Sequence, residues 1–186
     1  KEEINAFSKD IFESSSRMSK IIKDVLDVNR IESGQYPVNP SPVDLRDLFE
    51  SCLKPYRYAA EQKELKLETE LADLRVTSDA HALSQILDNL ISNAVKYASQ
   101  AGKIRVSLYS AGEGFVFEVF NEGRGFTEED KEKLFSRFAK LSTRPTAGEG
   151  SVGLGLSITH KIIEALGGRI VCESELHQGA LFRVTF

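Results

Sequence analysis

Two asparagines on one predicted helix are the first candidates for chemistry. In the segment NLISNAVKYA, Asn89 and Asn93 stand four positions apart, and Lys96 and Tyr97 follow about one turn later. Residues four apart lie on the same face of an α-helix. Leucine and isoleucine residues bracket both asparagines, so the two amides lie near the core stripe, where a buried polar group needs a partner. The pattern predicts a polar binding site on this helix.

A second candidate follows an apolar strand. In the segment NEGRGF, Asn121 ends the strand, and Gly123 and Gly125 carry no Cβ, which lets the backbone approach a ligand closely. Glycines in this arrangement also make ordinary turns. This motif alone does not separate the two interpretations.

A third candidate is rich in glycine. The segment GEGSVGLGLSI places Gly148, Gly150, Gly153 and Gly155 around the start of a predicted helix. The free amides and the dipole at a helix N-terminus favour phosphate. The sequence has no GxxxxGKS or GxxxxGKT and no GxGxxG after a first strand, which excludes the Walker and dinucleotide motifs. A plain loop with close helix packing is the alternative.

Helices and strands alternate around these segments. Asp79 is the predicted N-cap of the asparagine helix, and Thr127 with Asp130 predicts a capping box before a short helix. Periodicity predicts helices near 45–53, 79–95 and 153–166 and strands at 65–71, 103–109, 115–120, 169–174 and 180–186. This order predicts an α+β fold, a two-layer sandwich with helices on one face of a mixed sheet.

The N-terminal segment has a different pattern. Residues 1–33 contain no glycine or proline, and a heptad stripe runs through Ile4, Phe7, Ile11, Ser14, Met18, Ile21, Val25 and Val28. The stripe predicts a long helix that packs along another helix, and an amphipathic helix on its own domain is the alternative. Gly34 and three following prolines predict the helix end and an extended linker. The predicted domains are therefore 1–34 and 44–186, with the linker at 35–43.

The composition excludes several functional classes. Acidic (28) and basic (24) residues are mixed along the 186-residue chain, which has a net charge of −4, so no basic surface predicts nucleic-acid binding. Cys52 and Cys172 lie far apart without CxxC spacing, so neither a disulfide framework nor a zinc site is predicted. No apolar run approaches the roughly 20 residues that span a bilayer. We expect a cytoplasmic domain, with any membrane anchor of the natural protein outside this segment.

In this order and at these separations, the three motifs resemble those of the ATP-binding catalytic domain of sensor histidine kinases, in the superfamily that includes DNA gyrase. The matches are LSQILDNLISNAVKYA to the asparagine box, NEGRGF and VGLGLSI to the two glycine boxes, and LFSRF to the phenylalanine box. VLDVNRIESGQ also resembles the end of the second helix of the family's dimerisation hairpin. The resemblance implies a Bergerat-type ATP-binding fold preceded by that helix.

The resemblance also implies ATP and Mg²⁺ as ligands and assigns roles to the motif residues. Asn93 would bind Mg²⁺ through its side-chain oxygen, Asn89 would support the metal site, and Lys96 would neutralise phosphate charge; these three are the implied catalytic residues. The other implied nucleotide contacts are Tyr97, Asn121, Gly123, Gly125, Phe135, Arg137, Phe138, Lys140, Gly150, Val152, Gly153, Leu154, Gly155 and Leu156. Arg137 and Lys140 would reach the γ-phosphate when the loop at 139–151 closes, and ordinary solvated charge is their alternative.

Three positions refine these expectations. The family usually has Asp, which accepts a hydrogen bond from the adenine amino group, where this chain has Asn121; a neutral acceptor is weaker, so reduced affinity is expected. Ser151 replaces a common glycine and is expected to stiffen the loop. ATP-hydrolysing members of the superfamily carry Glu at the position of Asn89, and an amide cannot act as a general base. Transfer is therefore favoured over hydrolysis.

None of His81, His160 and His177 lies in a motif resembling H-E-x-x-x-P-L, the setting of the family's phosphoacceptor. The resemblance therefore implies a protein-histidine kinase of a two-component system that transfers the γ-phosphate to a hairpin helix absent from this sequence. Its implied partners are a response regulator and a second copy of the chain, joined through the hairpin. The alternative is a degenerate, non-catalytic nucleotide-binding or dimerising scaffold, for which Asn121 is the sequence support.

Overall fold

The computed structural model describes residues 36–139, 141–143, 145–146 and 153–186, together with single positions of the N-terminal segment. The chain divides into two units, Lys1–Tyr36 and Pro37–Phe186. In the first unit the described positions before residue 31 are all helical and exposed, and the large apolar ones are more than half exposed: Phe7, Ile11, Met18, Ile22 and Leu26. The stripe positions Ile4, Ile21, Val25 and Val28 lie outside the described residues.

The second unit alternates helices with strands. Its helices are α1 (Leu45–Gln62), α2 (Ala80–Tyr97), α3 (Glu128–Lys133) and α4 (Gly155–Ala165), and its strands are β1 (Ser41–Asp44), β2 (Lys66–Leu71), β3 (Arg75–Ser78), β4 (Lys103–Ala111), β5 (Gly114–Asn121), β6 (Arg169–Glu175) and β7 (Gly179–Thr185). The sequence predicted neither β1 nor β3, which pair antiparallel with each other. Within the described part of the chain, no helix is long and apolar enough to cross a membrane.

Five strands form a mixed sheet in the order β2-β4-β5-β7-β6. β2 runs parallel to β4, and the other neighbours are antiparallel. Side chains alternate between the faces of a strand, so Phe117 and Val119 of β5 share the buried face with Asn121, whereas Glu118 points to the other face. Helices α1, α2 and α4 contact the sheet, and α2 also contacts both α1 and α4. The predicted α+β sandwich is confirmed.

Helix α2 begins at the predicted N-cap. The Asp79 carboxylate accepts hydrogen bonds from the Ala82 amide at 2.9 Å and from the Asn39 amide at 2.8 Å. Burial raises the pKa of Asp79, but these backbone bonds outweigh it and hold the pKa below the ordinary value of aspartate. A completely buried stripe, including Leu83, Ile86 and Leu90, fixes which face of α2 meets the core.

Candidate functional site

A cavity of about 530 Å³ lies between α2, the end of β5 and the start of α4. Its walls are mainly apolar and aromatic, and its lining residues are Asn93, Tyr97, Asn121, Gly125, Phe126, Leu134, Phe138, Ala139, Leu141, Thr143, Pro145, Gly153, Gly155, Leu156, Ala180 and Phe182. None of these described lining residues carries a charged side chain. A few polar groups in an apolar cleft are typical of a small-molecule binding site.

One end of the cavity is the N-terminus of α4. The helix follows Leu154, and no side chain of the described residues caps its first amides. Gly155 lines the cavity, and a Cβ there would lie 3.4 Å from Oδ1 of Asn89, which places the Asn89 side chain beside the start of α4. Uncapped helix amides attract anions, so this end suits phosphate.

The other end of the cavity is the end of β5. Asn121 is 6% exposed, and its Nδ2 donates a long hydrogen bond of 3.4 Å to the Glu122 carbonyl. Gly123 packs against the last turn of α2 so closely that a Cβ there would lie 2.5 Å from the Tyr97 carbonyl oxygen. The absence of a side chain at Gly123 therefore permits this contact.

Helix α2 connects the two ends. Asn89 lies beside Gly155, Asn93 lines the cavity, and Tyr97 lies against Gly123. A helix rises about 1.5 Å per residue, so the eight residues from Asn89 to Tyr97 span roughly 12 Å. The site is thus elongated, with helix amides at one end and the Asn121 amide at the other.

The loop after α3 covers part of the cavity and is bonded to the domain. Asp130 accepts bonds from the amide and hydroxyl of Ser142, at 2.8 and 2.5 Å. The Thr143 hydroxyl donates to the Gly125 carbonyl at 2.9 Å, and the Thr146 amide donates to the Lys96 carbonyl at 2.9 Å. The described part of this loop is therefore fastened at three positions.

Asp130 also completes the predicted capping box of helix α3, whose N-cap is Thr127. The Asp130 amide donates to the Thr127 hydroxyl at 3.1 Å, and the Thr127 amide donates to the Asp130 carboxylate at 3.2 Å. Burial raises the pKa of Asp130, but its bonds from Ser142 and Thr127 lower it further than burial raises it. One carboxylate thus joins the capping box to the loop over the cavity.

The structure brings together about half of the site residues expected from the sequence. Those that line the cavity are Asn93, Tyr97, Asn121, Gly125, Phe138, Gly153, Gly155 and Leu156. Those that are described but do not line it are Asn89, Lys96, Gly123, Phe135, Arg137 and Leu154. Lys140, Gly150 and Val152 lie outside the described residues.

Sequence reasoning missed several walls of the cavity. Phe126 and Phe182 form an edge-to-face pair with ring centroids 6.3 Å apart, and Ala180 pairs with Asn121 across the β5–β7 ladder. Phe126 ends the NEGRGF motif but was not assigned to the site, whereas Ala180 and Phe182 lie in a strand with no local signal beyond that of ordinary core. The histidines do not line the cavity, and His160 instead stacks on Phe135 with ring centroids 5.1 Å apart.

A family model described as histidine kinase-, DNA gyrase B-, and HSP90-like ATPase matches residues 78–186, more than half of the chain. The chain belongs to this family. The match includes the cavity's asparagine helix, the end of β5 and the start of α4. Within the family the chain is an ATP-binding domain of the histidine kinase type, as the sequence motifs predicted.

Individual relatives agree with this assignment. The circadian input-output histidine kinase CikA of Synechococcus elongatus is 33% identical over 96% of this ATPase-family chain and 24% of its own length. Full-length ShkA in complex with AMPPNP is 27% identical, with a TM-score of 0.81 over 93% of this chain and 36% of its own. Histidine kinase ThkA in complex with the response regulator protein TrrA is 27% identical, with a TM-score of 0.73 over 95% of this chain and 48% of its own. The chain spans less than half the length of each.

Proposed function

We propose that this domain binds ATP with Mg²⁺ and transfers the γ-phosphate to a histidine on a dimerisation hairpin of the longer protein. The observation that carries the proposal is the elongated cavity along α2, which joins the uncapped amides of α4 to the buried Asn121 amide. Phosphates would lie at the α4 end, because that end offers helix N–H groups that no described side chain caps, together with a favourable dipole. The base would lie between apolar walls beside Asn121.

The residues present fit a magnesium ion shared with the nucleotide. Asn93 lines the cavity, and the Asn89 side chain lies one helical turn away, beside Gly155. Mg²⁺ takes oxygen ligands and usually keeps several waters beside one or two protein groups and substrate phosphates. Asn93 would hold the ion through its side-chain oxygen and Asn89 would support it, while the ion neutralises phosphate charge. In this proposal Lys96 also neutralises phosphate charge; it lies in the last turn of α2, so its long side chain must extend back along the helix toward the phosphates.

The chemistry of Asn89 favours transfer to a protein histidine. Its side chain is 8% exposed and lies against the start of α4, next to the proposed phosphate position. An amide at this place can donate and accept hydrogen bonds but cannot remove a proton from water at neutral pH. The domain would therefore position ATP for an external nucleophile more effectively than it would activate water.

The proposed partners are a second copy of the chain and a response regulator. The described apolar side chains of the N-terminal helical segment are largely exposed, which suits packing against another helix. We take 1–34 as the second hairpin helix, 35–43 as the linker and 44–186 as the catalytic domain. The ThkA complex contains a response regulator, and we propose the same class of partner for this chain in the cytoplasm.

Replacing Asn93 by alanine tests the proposed reaction. Purified variants would be given radiolabelled ATP, Mg²⁺ and a separately supplied hairpin that carries a phosphoacceptor histidine. We expect Asn93→Ala to lower the transfer rate at least about a hundredfold, the order of effect seen when one preorganised donor that stabilises transition-state charge is removed from an enzyme. Gln100→Ala, at an exposed amide outside the cavity, is the matched control and should transfer normally. Unchanged transfer by folded Asn93→Ala would reject the proposed role.

A further inference from the structure

We propose that Asn121 makes this pocket accept 6-oxo purine nucleotides as well as 6-amino purine nucleotides, so that GTP and ATP bind with similar affinity. This inference rests on the proposed nucleotide-binding function and specifies its substrate class. It follows from where the base must lie and from which polar group meets the base there.

The chemistry of the two ends of the cavity determines where the base of a bound nucleotide lies. Phosphate belongs at the uncapped start of α4, beside Asn89. The opposite end lies about 12 Å along α2, where Gly123 contacts Tyr97 and the Asn121 side chain lines the cavity. A nucleotide whose phosphates occupy the first end therefore presents the edge of its base to Asn121.

The polar edge of a purine differs between the two classes. A 6-amino purine offers an N–H donor at position 6 and an acceptor at N1, whereas a 6-oxo purine offers an acceptor at position 6 and an N–H donor at N1; guanine adds a second N–H donor at position 2, on the other side of N1. A carboxylate only accepts hydrogen bonds, so it favours the 6-amino class. An amide carries one accepting oxygen and one donating NH₂ group. Asn121 can match either edge by exchanging the positions of its oxygen and nitrogen.

The surroundings of Asn121 allow that exchange. In the present orientation Nδ2 makes a 3.4 Å hydrogen bond to the Glu122 carbonyl, which is long for an N–H···O bond and therefore weak. The loss of this bond would cost little compared with a well-formed hydrogen bond to the base. In the exchanged orientation Oδ1 would lie near the Glu122 carbonyl oxygen, so the hydrogen bond from Nδ2 to the base must outweigh that repulsive contact.

The other residues around the base contribute little to the choice between a 6-amino and a 6-oxo purine. Ala180, the partner of Asn121 across the ladder, offers no polar side chain, and Phe126 and Phe182 present apolar rings. The Thr143 hydroxyl, another polar group in the lining, already donates its hydrogen to the Gly125 carbonyl. Tyr97 also carries a hydroxyl, and the Thr143 oxygen can still accept a hydrogen bond, but Asn121 is the amide at this end whose donor and acceptor can exchange places.

The test is calorimetric titration of the full chain with AMPPNP and with GMPPNP, at pH 8 with Mg²⁺. For the natural chain we expect the two dissociation constants to agree within about tenfold. Asn121→Asp should bind AMPPNP several-fold more tightly, because a charged acceptor is stronger, and should bind GMPPNP at least about tenfold more weakly, because a carboxylate then faces an oxygen. Asn29→Asp adds the same charge at an exposed helical position and should leave both constants unchanged.

Each result decides the inference. A preference of the natural chain for AMPPNP greater than tenfold would overturn it, and this measurement does not depend on the folding of any variant. An AMPPNP-to-GMPPNP affinity ratio that stays the same in folded Asn121→Asp would also overturn it. Failure of the natural chain to bind either nucleotide would instead reject the proposed function on which the inference depends.

Discussion

Replacing Asp130 by alanine tests whether one carboxylate holds the loop over the cavity. The side chain is 5% exposed and accepts three hydrogen bonds, two from Ser142 and one from the Thr127 amide. Hydrogen bonds to charged groups each contribute about 1.5–3 kcal/mol, but water replaces some of them after the substitution. We therefore expect a loss of roughly 3 kcal/mol in the free energy of unfolding. For a domain of this size that loss lowers Tm by about 6–12 °C.

The same substitution should weaken nucleotide binding. Leu141 and Thr143 flank Ser142 and line the cavity, so a loop released by Asp130→Ala must be ordered again when the nucleotide binds. Ordering one residue costs about 1–2 kcal/mol, which corresponds to a five- to thirtyfold rise in the Kd for AMPPNP. Thermal unfolding followed by circular dichroism and calorimetric titration would measure the two effects.

Glu129→Ala is the matched control for both measurements. Glu129 is the preceding residue of the same helix, its side chain is 78% exposed, and its ion pair with Lys133 lies at the surface. Exposed pairs contribute at most about 1 kcal/mol, so we expect little change in Tm or Kd. Equal Tm values for Asp130→Ala and Glu129→Ala would refute the stability argument. A lower Tm with an unchanged Kd would refute the link between the loop and the ligand.

The remaining predictions concern stability. Asp79→Ala should lower the free energy of unfolding by about 0.5–2 kcal/mol, measured by urea denaturation, because it removes the N-cap of α2; no change would contradict the capping role. Gly125→Ala should destabilise more than Gly112→Ala: both glycines have positive φ, but only at Gly125 would the Cβ meet backbone, at 2.1 Å from the Glu175 carbonyl oxygen. Equal losses of unfolding free energy in the two variants would show that the backbone moves and relieves the clash at Gly125. Asp79 and Asp130 have lowered pKa values in the folded state. The two carboxylates therefore contribute fully to the free energy of unfolding above an unfolded pKa of about 3.9, and this contribution is lost as the pH falls through the folded pKa values. The difference in unfolding free energy between the natural chain and each alanine variant should therefore shrink below about pH 4. A loss of unfolding free energy that stays constant between pH 7 and pH 2 would contradict this pH dependence.

Local elements were predictable because their signals lie within a few residues. The N-cap at Asp79, the capping box at Thr127 and Asp130, and the hairpin of β4 and β5 all appear where the sequence placed them. Each depends on contacts between residues near in sequence. The short strands β1 and β3 were missed because each has four residues, too few for a clear alternation, and each is stabilised by the other across about 30 residues.

The sequence by itself determined the three motifs, the face that Asn89 and Asn93 share on α2 and the α+β class, because each follows from helix or strand periodicity. Only the tertiary structure decided that β2 lies parallel to β4, that Ala180 lies opposite Asn121, and that Phe126 and Phe182 close the cavity. The fastening of Ser142 to Asp130 belongs to the same group. These contacts join segments far apart in the chain, and their energies come from burial and hydrogen bonds that exist only after the sheet and helices have packed.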